Sequence, residues 1–580
     1  MFQTQIQFLQ IAVFRFFSFP IFSMDRSTDN KEMAYLEVNT PSTRLEIKSS
    51  YLKNDDNMEE PADGALRKGG VVNVFTKEYL GLVANYACMG IVNGAFPRTI
   101  YPFLNNYLRL DGYQAVAAET LLDLPFTLNL FIGIISDSFP IYGLRRKPYM
   151  IIGWVGCFLS LACMSFMAVA DPYYIFPEDA QVMNKSTIDP SRLNLEAKAA
   201  GPQYILLMML ASLFYVIALV AADGIVIELA MREPEAVRGK TQISMYMTRD
   251  VFSVLGIALV GLTMNDASYG GSFGWGLKFN HVMGILSAVI LCSLPLFIFF
   301  VKDEVKERES FRGRCRVMKK LVEKRAVWQI MALKFFSTAF YSFGAAPTNI
   351  VQREWAHVEP FNDSVFSMVG KLVVAGSLFA TKKWGLNWDW RKTIAYSTLF
   401  AVFIDSIVSY FTIFAVFRSQ WFWLGVPILE DVPLAIRYIV STLVVVEIAE
   451  EGYEGATYGL MTTVTKLSSK VMPSIYKTVD SHFDAYEEHV RLDTPHVRRQ
   501  VAYTYTLMYI MKLLSIFWLI LLPRQKKECQ ELKKRGGSSK IAGTISIVIA
   551  LTAFIYAITS NILSIFPTTS CLRIAGGRGC

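Results

Sequence analysis

The chain has 580 residues, of which 53% are hydrophobic, 13% aromatic and 18% charged, and its mean hydropathy is +0.34. A soluble domain carries about 25% charged residues to wet its surface, and here the deficit is gathered into long apolar blocks, which excludes an ordinary water-soluble globule. The formal charge of +8 does not argue for nucleic acid, because Lys and Arg sit mostly in short turns between apolar blocks, as the positive-inside rule expects of a membrane protein.

Gln7–Ser23 is apolar but broken by Arg15 and followed by Ser-, Asp- and Glu-rich sequence, so it is not a convincing cleavable signal, and Met24 is a candidate true start. Residues 1–70, polar and turn-rich from Met24 onward, are read as a disordered cytoplasmic tail. A bilayer core about 30 Å thick needs about 20 apolar residues per helix. Six such segments follow in 71–301, near Tyr79–Tyr107, Tyr113–Ser136, Pro148–Ala170, Tyr204–Ala230, Ile243–Thr263 and His281–Val301. A basic connector, 302–325, separates them from six more in 326–523. These lie near Ala326–Ile350, Phe361–Ala380, Thr393–Phe417, Pro433–Ala449, Ala456–Val479 and Val501–Leu522. A basic segment, 524–540, leads to a thirteenth apolar block, Ile541–Phe566, and a tail, 567–580. The expected fold is all-α: a polytopic membrane protein of two six-helix bundles with an extra C-terminal helix.

With a cytoplasmic amino end, the basic turns fall inside: Arg145-Arg146-Lys147, Arg232 to Lys240, the connector, Lys382 to Lys392 and Arg524 to Lys540. The two Asn-x-Ser sequons, Asn184 and Asn362, then fall in exterior loops as candidate glycosylation sites. The halves also echo one another. Ile227-Glu228-Leu229-Ala230 with Glu235 matches Val446-Glu447-Ile448-Ala449 with Glu454 at identical spacing, each closing the fourth helix of its half. Duplicated six-helix bundles build a central site that opens to alternate sides.

Ionisable residues in spanning helices cost roughly 2.5–3.5 kcal/mol each on insertion scales, so they need partners or a wet cavity. Arg98, Asp123, Asp223, Arg249, Lys371, Asp405 and Lys512 are read as lining a substrate cavity, with Lys371, Asp405 and Lys512 nearest the midplane. Glu228, Lys334 and Arg437 are read as snorkelling from helix ends. Glu119 and Asp123, four apart, share a helix face; a proton site and a salt bridge to Arg98 both remain open. The excess of cations points to an anionic solute. Gly133 and Asp137, followed by Arg145, Arg146 and Lys147, place a small residue and a carboxylate before a basic turn, as a breakable inner gate requires. Asp137 is expected to pair with Arg238, and Glu454 to join the gate.

No paired His, H-E-x-x-H, G-x-S-x-G or Walker loop suggests an enzyme, and neither a metal nor a cofactor is expected. The eight Cys carry no CxxC pair. Cys88, Cys157, Cys163 and Cys292 read as packing residues, and Cys571 and Cys580 as a disulfide loop or as two free thiols.

Leu124-Pro125, Gly133, Ser136-Asp137, Pro140, Gly143 and Arg145 to Tyr149 resemble the inner-loop signature of the major facilitator superfamily, and more closely that of its folate–biopterin transporter family. Ala222 to Glu228 with Arg238-Gly239, Trp388 to Lys392, and Glu454 to Leu460 resemble further stretches of that family. The resemblance implies a secondary transporter of folates or pterins, coupled to protons, whose partners are a small anionic substrate and the lipid bilayer, with no nucleic acid. Two positions depart from the family: Asn129 stands where many members carry lysine, and Leu219 where they carry aspartate. A receptor or sensor built on a carrier fold is the alternative reading.

Overall fold

A computed structural model of the chain describes residues 64–109, 118, 121–176, 190–194, 196–269, 271, 273–303, 305, 311–358, 360–450, 453–480, 482–485, 487–565, 569 and 572. All belong to one compact unit, Glu59–Cys580. Glu119, Asn184, Cys571 and Cys580, and the sequence before residue 64, lie outside the described residues.

The first half comprises α1 (Leu80–Ala95), α2 (Asn129–Ser138), α3 (Lys147–Phe166), α4 (Gly201–Met231), α5 (Lys240–Thr263) and α6 (Phe279–Phe300). The second comprises α7 (Arg325–Tyr341), α8 (Pro360–Ala380), α9 (Trp390–Ile413), α10 (Asp431–Ile448), α11 (Glu454–Asp480) and α12 (Pro495–Leu514). The last apolar block forms α13 (Lys540–Ile565). A connector helix, Phe311–Glu323, joins the halves, and a basic helix, Lys526–Arg535, follows α12. Nine helices among the described residues are long and apolar enough to cross a membrane by length and composition. α7, α10 and α11 are not among them, and these three carry charges that the site uses.

Helix geometry departs from a plain apolar run where the sequence carries breakers. Pro97 falls in a 3-10 turn, Phe96–Thr99, after α1, and the chain continues as a π-helix, Ile100–Tyr107. The seventh segment, expected to run unbroken to Ile350, stops at Tyr341 and resumes as Thr348–Glu354 after Gly344 and Pro347. Proline removes a backbone donor and clashes with the preceding turn, which accounts for both interruptions.

Helix pairing repeats with an offset of six. α1 packs on α5, α2 on α4, α3 on α4 and α3 on α6; in the second half α7 packs on α11, α8 on α10, α9 on α10 and α9 on α12. Between the halves α2 packs against α11 and α5 against α8, and α11 also packs on α4. The α2–α11 seam is a close backbone approach: a Cβ on Gly133 would lie 2.4 Å from the Gly455 carbonyl, and one on Gly459 would lie 2.4 Å from that of Asn129. Gly455 and Gly459 stand four apart, the small-residue spacing that lets helices touch.

Candidate functional site: a central cavity over a buried ion-pair cluster

At the face where the basic turns lie, Asp303 accepts the backbone N–H groups of Arg146 (2.7 Å) and Lys147 (3.0 Å) at the start of α3. This capping turns Arg145 and Arg146 beneath the bundle. The Arg146 guanidinium lies 2.5 Å from Asp137, 3.4 Å from Glu228 and 3.6 Å from Glu454. Arg145 lies 3.3 Å from Glu228 and 3.6 Å from Glu454. The other Asp137 oxygen accepts the Ala456 N–H (2.8 Å) at the start of α11, where the helix dipole favours an anion. These side chains are at most 7% exposed. The cluster therefore ties α2, α3 and α4 of the first half to α11 of the second.

The expected pairing of Asp137 with Arg238 is not formed. Arg238 donates instead to both oxygens of Glu447 (2.8 and 2.7 Å), a second bridge between halves. The turn that carries Arg238 leads into α5 through Gly239, whose φ is +101°, so Arg238 points toward α10 and Asp137 is left to Arg146. Glu233 anchors this turn by accepting from the Gly239 N–H (2.6 Å) and the Thr241 N–H (2.9 Å). Burial raises the Glu233 carboxyl above its ordinary value, and the bonds from Thr241 and Gly239 work against that rise.

Beside this ion-pair cluster lies a cavity of about 340 Å³ lined by both halves. Arg249, Lys334 and Lys466 enter it, with Phe126, Tyr215, Tyr438 and Tyr458 among its walls. Lys334 donates to Ser441 (2.7 Å), and the Lys466 ammonium stands 4.9 Å from the Phe126 ring centre. Arg249 lies over the rings of Tyr246 and Tyr438, at 5.1 and 5.7 Å. Asp123 also lines the cavity and pairs with Lys470 across the α2–α11 seam. That pair is 44% and 27% exposed, so this end of the cavity is wetter than the ion-pair cluster.

The structure divides the expected cavity residues into three groups. Asp123 and Arg249 reach the cavity, and Asp223 stands behind it, buried and accepting from the Tyr86 hydroxyl (2.5 Å). Arg98 lies toward the far face, 3.7 Å from Asp363 and 3.1 Å from Ser367, so Asp123 does not pair with it. Lys371, Asp405 and Lys512 do not line the cavity. Asp405 and Lys512 pair with each other at 3.4 Å between α9 and α12, with side chains 21% and 18% exposed. Two charges facing one another need no watery pocket.

Other expectations are also corrected. Glu228 and Lys334 do not snorkel but are buried, and Arg437 bonds inward to the Ser337 hydroxyl (2.6 Å) and Thr398 (3.2 Å). Lys466 and Lys470 went unremarked in the sequence, although their spacing of four on a helix places them on one face. Asn362 opens α8 and donates to Gln420 (3.0 Å). Residues 64–70, expected in the tail, are held against α4 by the N–H groups of Leu66 and Arg67 on the Met231 carbonyl (2.9 and 3.0 Å). Among the described residues no cluster of His, Cys, Asp and Glu is fit to hold a metal ion.

Residues 89–175 match the BT1 family, the folate–biopterin transporters. The chain is 26% identical over 149 residues to Folate transporter 1 of Plasmodium falciparum, a match covering 25% of this chain and 27% of that protein. It is 37% identical over 71 residues to Folate transporter 2 of the same organism, covering 12% and 14%. The chain thus spans about a quarter or less of the length of these curated relatives. Among solved structures, a double-tryptophan variant of XylE superposes with a TM-score of 0.53 at 12% identity, over 80% of this chain and 100% of that one. A D-xylose-proton symporter superposes with 0.50 at 13%, over 78% and 98%. The fold is that of the major facilitator superfamily, in a polytopic membrane protein.

Proposed function

We propose, from the premise that residues 89–175 carry the BT1 signature, that this chain is a secondary active transporter and not an enzyme. It moves a small anionic organic solute of the folate or pterin class by alternating access, coupled to protons, with its amino terminus cytoplasmic and Asn184 and Asn362 as exterior glycosylation sites. The observation that carries this reading is the cavity between two repeated bundles. It presents Arg249, Lys334 and Lys466 beside aromatic walls, while its Asp123 is already paired with Lys470. An excess of cations in a partly desolvated pocket favours an anion, and aromatic faces favour a planar ring. The ion pairs beside the cavity join the halves on the basic face, as a closed inner mouth requires, and Asp137, Arg145, Arg146, Arg238 and Glu454 are its gating residues. Two of the similar proteins are folate transporters, and one of the similar solved structures is a D-xylose-proton symporter.

Asn129 and Leu219, where the family resemblance breaks, both line the cavity. This favours an altered solute within the class, and it is the one observation that supports the receptor alternative. The test is uptake by vesicles holding the purified chain, offered labelled folic acid, a reduced pterin and an unrelated organic anion, with and without an imposed pH gradient. Gradient-driven accumulation of the first or second is expected. No uptake of any of the three by well-folded protein would leave the receptor.

A further inference from the structure

The buried gate holds three carboxylates, Asp137, Glu228 and Glu454, and among the described residues the two bundles bring the guanidiniums of Arg145 and Arg146 to them. Among the described residues the third is Arg67, which precedes α1. Its side chain is 7% exposed and lies 3.5 Å from Glu228 of the first half and 3.6 Å from Glu454 of the second. The same short segment reaches the other bridge between halves, for the Gly64 carbonyl accepts from the Arg238 guanidinium that pairs with Glu447. Its backbone is fixed by the two bonds from Leu66 and Arg67 to the Met231 carbonyl at the end of α4.

We propose that residues 64–70 form a removable latch, whose Arg67 completes the closed gate and must withdraw before the basic face opens. This rests on the alternating-access reading and adds to it a control element outside the repeated bundles. A buried anion that loses a partner is destabilised, so removing Arg67, which faces both Glu228 and Glu454, weakens the closed arrangement relative to one in which these carboxylates meet water. The latch spans both halves, so it stabilises only the closed arrangement; a contact made equally in both states would shift nothing.

The test needs no substrate. Thr457, fully buried one turn beyond Glu454, is replaced in the full-length chain as Thr457→Cys. Its reaction with a polar maleimide is followed by peptide mass spectrometry. Adding Arg67→Ala is expected to raise the labelling rate at least about tenfold, with Arg67→Lys falling between. Leu66→Pro, which removes one latch bond and leaves every buried charge in place, is expected to raise it by a smaller factor, and keeps the test available should Arg67→Ala fail to fold. Gly459→Leu, which wedges the α2–α11 seam, serves as the open control. Labelling in the control but not in the latch variants overturns the latch alone. Labelling in none overturns the latch and alternating access together.

Discussion

Lys334 and Lys466 enter the cavity from α7 and α11, opposite Arg249 of α5, so a bound anion would bridge the two halves. A charge-assisted hydrogen bond contributes about 1.5–3 kcal/mol. Lys334→Ala and Lys466→Ala are therefore each expected to raise the KM for folic acid uptake about tenfold or more. Lys512→Ala should leave KM unchanged. It strands Asp405, half-buried, and should lower the thermal midpoint, which the added Asp405→Asn restores; a KM effect of Lys512→Ala would put that pair back in the cavity. On the far face, Asp493 receives four hydrogen bonds from Arg418 and Arg498, at 2.7 to 2.9 Å. Burial alone would raise its carboxyl, but those bonds and charges outweigh burial and hold it at about 2, below the ordinary 3.8. Its contribution to stability is thus complete above the unfolded value and is lost as pH falls from about 4 through about 2. Asp493→Asn should lower the midpoint at neutral pH and flatten the decline across that window, read by thermal unfolding in detergent at stepped pH.

Among the elements, the α2–α11 seam is intolerant of bulk, because Gly133 and Gly459 meet backbone rather than flexible side chains, while Gly455 abuts the Arg146 guanidinium of the ion-pair cluster. Overpacking a tight contact costs about 1–3 kcal/mol, and here the cost falls on the closed arrangement alone if the basic face opens by parting α2 from α11. Gly133→Leu is expected to raise reactivity of Thr457→Cys toward maleimide while the far-face clamp at Asp493 stays intact. An unreactive thiol in that variant would place the moving surface elsewhere. The helices themselves were legible in the sequence because each apolar run is long, and the inner turn because Gly133, Asp137, Arg145 and Arg146 keep fixed spacing. Which way a charge faces was not legible. Lys334 and Lys512 look alike as single cations in apolar runs, yet one meets Ser441 at the cavity and the other meets Asp405 away from it. The partner that decides between them lies 107 residues off in either case, beyond the reach of any local pattern. Lys466 and Lys470, inside the expected segment Ala456–Val479, went unremarked for a related reason: nothing local shows that one enters the cavity and the other meets Asp123, 347 residues away.

At the scale of the whole molecule, the twelve helices of the repeated halves carry a thirteenth that the repeat does not account for. α13 packs on α11 and α7 and on the connector helix, and Phe554 reaches Phe131 of α2 at 6.0 Å between ring centres. It therefore touches both sides of the α2–α11 seam. Its outer face is apolar and uncovered, with Ile541, Ile545, Val548, Leu551 and Ile555 between 49% and 74% exposed, as suits a surface against acyl chains. Ala553 and Leu467 form a small cluster there, and among the described residues of this helix Ile547 packs against the main core. A helix that adds so little buried surface is not what holds the bundles together, because lipid replaces its contacts at low cost. Truncation after Arg535 should thus give a monodisperse protein whose thermal midpoint falls by a few degrees, about 2–4 °C for each kcal/mol lost. The same truncation removes the Phe554–Phe131 contact across the seam, so maleimide labelling of Thr457→Cys should rise modestly, by less than in Arg67→Ala. Aggregation of the truncated chain would make α13 part of the folding core instead, and a midpoint unchanged together with unchanged labelling would make it a bystander at the seam.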